Sequence, residues 1–436
     1  MTLAHFERAT AAIAQIQTSQ AVGRVSDVGS TRVRVAGLSH VCRLGDPVRV
    51  ESDGAALTGE VVHLADQTAQ VLLDGPTDGI RLGDPVKLLK RRPFAPDDGW
   101  IGRVVDPQGL PLDGKPLLPG IVPRALQASP PPAHMRRSMG ERLETGLAVF
   151  NTLLPLVTGQ RIGLFAGSGV GKSTLIANLA RNIEADVIVI ALVGERGREV
   201  RHFVDEVLGP EGMKRAVVVA ATSDRAPQVR KRCAHAAMAV AEHFRDAGKN
   251  VMLFVDSVTR FCEAHREIAV AAGEGVALRG YPASTAPAIA GLCERAGPGF
   301  ASTGDITAVF SVLVAGSDME EPVADMLRGV LDGHVVLSRD IAERGRFPAV
   351  DVLRSVSRSL PSAATDPENA LIGKARAMLG RYANAELMIQ SGLYSNGSDP
   401  GIDAAIATHD PLDAFLSIQD DRGVAAHFTA LTQVLG

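Results

Sequence analysis

Apolar residues recur along this chain with three different spacings, and each spacing predicts a different kind of element. In residues 1–18, Leu3, Phe6, Ala9, Ile13 and Ile16 fall on one side at three- and four-residue steps, which predicts a short helix. Such a stripe is buried against its own domain or, at a terminus, docks a partner; the sequence leaves both open. From about Val22 to Lys90, short Val/Leu/Arg runs alternate with Gly-Asp turns, as in Thr31–Val35, Val48–Glu51, Gly59–His63 and Val71–Leu73. That texture predicts an all-β unit with turns at barrel-like spacing. Within it, Arg43-Leu-Gly-Asp-Pro-Val-Arg-Val50 recurs as Arg81-Leu-Gly-Asp-Pro-Val-Lys-Leu88. Two such turn-plus-strand units point to a small closed barrel, which leaves no exposed strand edge. Prolines at 107–111 and 130–132 then mark a connector.

From about Ile162 the apolar runs become continuous: Ile162–Phe165, Val187–Val193, Ala216–Ala221, Val251–Val255 and Ile306–Leu313, with helical stretches between them. This predicts a parallel sheet covered on both faces. After about Ser359 the strands stop. Leu371, Ala375, Met378 and Leu379, then Leu387 and Ile389, then Phe415 and Leu416, predict a terminal helical domain. The expected division is a helix at 1–20, a β-barrel at 21–92, an α/β core with its connector at 93–360, and helices at 361–436.

Composition narrows the picture by exclusion. A hydrophobic share of 46% with 22% charged residues is that of an ordinary globular chain. The net charge of −4 supplies no global basic field for nucleic acid, and 4% aromatics leave few platforms for stacking single-stranded bases. No nucleic-acid partner is expected. No run approaches the ~18 apolar residues of a membrane span, and the N-terminus does not read as a secretory leader. Cys42, Cys233, Cys262 and Cys293 are far apart without CxxC pairing, so they read as buried thiols in a reducing cytoplasm.

The chemistry concentrates in four segments. Ala166-Gly-Ser-Gly-Val-Gly-Lys-Ser173 follows an apolar strand and precedes a helical run, the setting of a phosphate-binding loop. Gly167, Ser168, Gly169, Val170, Gly171, Lys172, Ser173 and Thr174 are the candidate nucleotide-binding residues. The glycines let backbone N–H groups converge on phosphate oxygens at a helix N-terminus. Lys172 is expected to reach the β- and γ-phosphates and Ser173 to offer its hydroxyl to Mg²⁺. The strict pattern has Gly at 166, where this chain has Ala. Asp256 ends the strand Val251–Val255, and with the loop it is the second candidate Mg²⁺ ligand; taken alone it reads equally as a cap. Glu195, in Val193-Gly-Glu-Arg-Gly-Arg-Glu199, is the candidate base, with a salt-bridged surface loop as the equal alternative on spacing. Arg358 is a candidate arginine finger that spacing does not single out among 45 Lys and Arg residues.

Taken together, GQRIGLFAGSGVGKST, VGERGREV, LFVDSVTRF, LDGHVVLSR and PAVDVLRSVSR resemble the flagellar and injectisome type III secretion ATPases, relatives of the catalytic subunit of rotary ATP synthases. The resemblance covers residues 20–405, including Gly102–Lys115 and Gly397-Ser-Asp-Pro400. It implies a β-barrel crown, a RecA-like ATPase domain and a C-terminal helical domain in a homohexameric ring. It carries the catalytic glutamate onto Glu195, the metal-binding aspartate onto Asp256, the finger onto Arg358 and an adenine-packing aromatic onto Phe347. Many relatives have Tyr at that last position. Around 273–282 GEGVALRGYP departs from the Pro-rich form, which leaves the phosphate-sensing residue of that loop unassigned.

The resemblance further implies ATP and Mg²⁺ as ligands and a stator-like regulator on the N-terminal helix. It also implies an export gate, chaperones and flagellar export substrates as partners, at the cytoplasmic face of the inner membrane. Because one chain holds both Glu195 and Arg358, it can serve as site and as finger donor in a head-to-tail ring. The flagellar reading is set against an injectisome ATPase, a rotary ATPase catalytic subunit, a hexameric RNA translocase and a nucleotide-binding subunit without turnover.

Overall fold

The computed structural model describes residues 19–53, 55–277, 280–314 and 319–436; the amphipathic stripe at 1–18 lies outside them. Six strands come first: β1 (Val22–Val28), β2 (Arg32–Ala36), β3 (Pro47–Ser52), β4 (Ala55–Leu64), β5 (Thr68–Leu73) and β6 (Pro85–Leu88). They close into a barrel in the order β1-β2-β5-β4-β3-β6. Alternate residues such as Val48, Val50, Val61, Val71 and Val86 fill its interior. The sequence repeat explains the closure. In each copy the Asp side chain accepts the Arg backbone N–H, Asp46 from Arg43 at 2.7 Å and Asp84 from Arg81 at 2.8 Å. Gly45 and Gly83 sit at φ 80° and 90°, where a side chain would be strained. The strands launched by these two turns, β3 and β6, then pair antiparallel with each other.

The remaining strands are β7 (Val104–Val105), β8 (Arg161–Ala166), β9 (Val187–Glu195), β10 (Ala216–Thr222), β11 (Val251–Asp256), β12 (Ile306–Leu313), β13 (Gly333–Leu337) and β14 (Val350–Ser357). They form one sheet in the order β14-β13-β8-β12-β11-β9-β10-β7. All pairings are parallel except β14 on β13. The five apolar runs read from the sequence are its centre; β7, β13 and β14 extend it at the two edges.

The helices that cover the sheet and frame its C-terminal edge are α1 (Lys172–Asn182), α2 (Gly197–His202), α3 (Pro227–Asp246), α4 (Val258–Ala271), α5 (Thr285–Cys293) and α6 (Pro322–Val330). Three more close the chain: α7 (Asp366–Gln390), α8 (Pro400–Leu416) and α9 (Gly423–Leu435). The pleat divides the core. On β9, Val187, Val189, Ala191 and Val193 pack with α3, α4 and α5 on one face. Ile188, Ile190 and Leu192 pack with α1 on the other. Leu412, Phe415, Phe428 and Leu431 join that second face, so the terminal helices share the core of the sheet instead of forming their own. Leu387, read as part of the terminal apolar pattern, is instead exposed. All four cysteines are free and buried.

Candidate functional site

The loop after β8 is shaped by where glycine is required. Ala166 is the last residue of β8 and fully buried, so its methyl lies within the sheet and not in the loop. The departure from glycine at 166 therefore leaves the loop untouched. Gly169 and Gly171 take φ 80° and 87°, and Gly171 caps the N-terminus of α1. Val170 is buried and anchors the loop. A methyl at Gly169 would meet nothing within 4 Å, so the loop backbone there faces open space. Loop amides and the α1 N-terminus together have the arrangement that suits an anion.

Asp256 ends β11 at the same C-terminal edge of the sheet and is 3% exposed. Its Oδ1 contacts the Lys172 ammonium directly and accepts the Ser311 hydroxyl at 2.6 Å. Ser311 belongs to β12, the strand between β8 and β11, so one buried hydroxyl fixes the carboxylate against the loop lysine. Thr307 and Ser311 are both polar in the apolar run ITAVFSVL, so the sequence alone does not single out Ser311.

A cavity of about 1150 Å³ opens over this edge. Gly167, Ser168, Gly169, Gly171, Lys172, Ser173 and Thr174 line one wall, and Glu195 with Glu199 lines another. Burial, the nearby Asp256 charge and a hydrogen bond with Glu199 push the Glu195 carboxyl up to about 7, against the opposing pull of Lys172. Glu199 pairs in turn with Arg196 at 2.7 Å, and its own carboxyl is held below the usual range by that pair and by Glu195. The Glu/Arg segment thus contains an ion pair at Glu199 and a second carboxylate, Glu195, that faces the cavity. Sequence reasoning did not assign Ser311, Glu199, Arg260, Arg339 or Tyr281, although the last four also line this space.

Phe347 lies across Gly171, where an added methyl would meet its ring at 3.3 Å, and remains 47% exposed. Arg358 does not join the group. It follows β14, whose last residue Ser357 pairs with Gly333 at the start of β13. That puts Arg358 at the N-terminal edge of the parallel strands, across the sheet from the loop. There its guanidinium donates to the Leu331 carbonyl at 3.0 Å. Residues 278 and 279 of the loop with the unassigned phosphate sensor lie outside the described residues, while Tyr281 beside them faces the cavity.

Three family models match in succession: the ATP synthase alpha/beta family β-barrel domain over residues 18–90, its nucleotide-binding domain over 146–357, and the T3SS EscN ATPase C-terminal domain over 364–433. The chain is 41% identical to the flagellum-specific ATP synthase of Caulobacter vibrioides, covering 98% of each.

The chain belongs to the type III export ATPases.

These ATPases are ATP hydrolases, and both branches lie close to this chain. The SPI-2 type 3 secretion system ATPase of Salmonella typhimurium is 43% identical over 83% of each. Among solved structures, the assembled ATPase EscN of enteropathogenic E. coli superposes with a TM-score of 0.86 at 33% identity, over 95% of this chain and 100% of that one. The C-terminal match to an export ATPase domain also separates this chain from the rotary synthase subunits that share its other two domains.

Proposed function

We propose that this export ATPase binds ATP with Mg²⁺ at the β8–α1 loop and hydrolyses it at the subunit interfaces of a homohexamer, driving the unloading and export of flagellar proteins. The observation that carries the reading is the Lys172–Asp256–Ser311 cluster, whose Lys172 lines a cavity walled by glycine backbone. The residues present fit the implied ligands. The loop faces open space at Gly169, the Asp256 carboxylate is buried beside a cation, and Ser173 borders the cavity.

Ser173 and Asp256 would hold Mg²⁺, which when bound would offset the phosphate charge. Loop amides and Lys172 would cradle the phosphates, and Phe347 would pack near the adenine. Glu195, held at about 7, would take a proton from the attacking water at neutral pH. Arg358 points away from its own cavity, and head-to-tail assembly would bring it to a neighbour's site, where it would steady charge developing on the transferred phosphoryl group. Residues 1–18 would dock a stator-like regulator, with chaperones and a membrane gate completing the partners at the cytoplasmic face of the membrane. No described helix is long and apolar enough to cross a membrane.

The match over 98% of both chains supports the flagellar branch, and the SPI-2 relative supports an injectisome ATPase as the second reading. Flagellar or injectisome genes beside this one would decide between them. The site itself is tested by Lys172→Ala, which should lose both retention of labelled ATP and hydrolysis; a variant that binds and turns over as the parent does would refute it.

A further inference from the structure

A chain of polar side chains runs from beneath the barrel to the rim of the cavity, and the hydrolytic reading leaves it unused. It begins at Lys231 on α3, whose ammonium is mostly buried and lies near Glu60 of the barrel. Lys231 Nζ stands 2.9 Å from His265 Nδ1 on α4. His265 Nε2 stands 2.8 Å from the Ser284 hydroxyl, just before α5. Ser284 Oγ is 2.6 Å from Glu274 Oε2, and the Ser284 backbone N–H donates to Glu274 Oε1 at 3.0 Å.

Only one proton arrangement satisfies every member. An ammonium donates and never accepts, so Nδ1 is the acceptor and the ring proton sits on Nε2. Ser284 accepts that proton's hydrogen bond and donates its own to the carboxylate. Burial and the Lys231 charge hold the imidazole down at about 4, so it is neutral and able to accept throughout the physiological range.

Glu274 and Ser284 stand at the open end of a hairpin whose described arms are residues 274–277 and 280–284. Val276 bridges Pro282, and the Ala277 N–H donates to the Tyr281 carbonyl at 2.9 Å. The Glu274–Ser284 pair therefore closes the hairpin base, and His265 ties that base to α4. Tyr281, inside the hairpin, lines the nucleotide cavity with the Arg266 guanidinium 5.1 Å over its ring. We propose that Lys231, His265, Ser284 and Glu274 form a directional hydrogen-bond chain that sets the Tyr281 hairpin against the nucleotide cavity, making His265 and Ser284 positioning residues for ATP hydrolysis. The proposal rests on the hydrolytic reading of the cleft.

The test compares His265→Leu, Ser284→Ala and His265→Gln with the parent in the full-length protein, reading kcat, KM for ATP, thermal midpoint and amide exchange over residues 274–284. Leucine removes acceptor and donor together, whereas glutamine restores one of each on a single amide. His265→Leu and Ser284→Ala should exchange faster over the hairpin and lose about tenfold in kcat, the scale set by small misplacements at a reacting centre. His265→Leu should also melt below the parent, because it leaves the mostly buried Lys231 ammonium without its imidazole acceptor. Ser284→Ala should melt near the parent, and His265→Gln should recover most of the leucine variant's losses. Faster exchange with unchanged kcat would overturn the proposal, as would a glutamine variant no better than leucine. Ser284→Ala, which removes one hydroxyl, decides the matter if the leucine variant does not fold. A parent that hydrolyses no ATP defeats the reading of the cleft. An active parent matched by all three variants defeats the hairpin proposal alone.

Discussion

A carboxylate accepts a proton near neutral pH only where its surroundings disfavour its charge, and Glu195 is so placed, half-buried beside Asp256 and Glu199. If it is the base, hydrolysis rises with pH as Glu195 ionises, because only the ionised form accepts a proton. Glu195→Gln should retain ATP, lose hydrolysis, and erase that part of the pH–rate profile; an active glutamine variant would refute the assignment. A linked effect appears in stability without nucleotide. The folded carboxyl titrates above its unfolded value, so its protonated form is favoured on folding; that advantage is full below the unfolded value and fades as pH rises through about 7. Glu195→Gln should accordingly melt higher than the parent at pH 8 and no higher at pH 4. Differential scanning calorimetry at the two pH values reads the sign.

At the scale of elements, legibility in the sequence followed burial. Strands buried on both faces, such as β9 and β11, appear as unbroken apolar runs, and the loop and Asp256 could be placed from them. β14 carries Asp351, Arg354 and Ser355 at the sheet's antiparallel edge, and β7 spans two residues, so neither has a period to read. Ser311 and Tyr281 were hidden for another reason: their positions depend on which strands become neighbours, and strand order is not local information. The same holds for the connector's anchor. Arg295 on the segment after α5 is fully buried, makes two hydrogen bonds to Glu242 of α3 at 2.8 and 2.6 Å, and donates to the Leu126 carbonyl at 2.6 Å. Removing one partner strands a buried charge, at a cost of roughly 3–5 kcal/mol. Glu242→Ala should lose about that much in urea unfolding, whereas a loss under 1 kcal/mol would mean the arginine finds water.

For the whole molecule, the chain carries the cavity with Glu195 at one edge of its sheet and Arg358 at the other, so a finger role for Arg358 would have to be played on a neighbour. Glu195 and Arg358 were legible in the sequence as candidates, but their separation is a property of the fold. Hydrolysis per chain should then rise with protein concentration as rings form, and Arg358→Ala should bind ATP without turning it over. Removal of residues 1–18 should abolish regulator binding while leaving ATP hydrolysis in the isolated protein; an unchanged pull-down would dispose of that role.

The most direct measurement mixes two inactive proteins, Glu195→Gln and Arg358→Ala, and follows ATP hydrolysis. In a mixed head-to-tail ring, an Arg358→Ala chain supplies an intact Glu195 and its Glu195→Gln neighbour supplies an intact Arg358. About one quarter of the interfaces in a random equal mixture are complete in this way. Neither variant alone should turn over, and the mixture should recover activity on that scale. A silent mixture of assembled rings, or full activity in Arg358→Ala alone, would contradict a site shared between subunits.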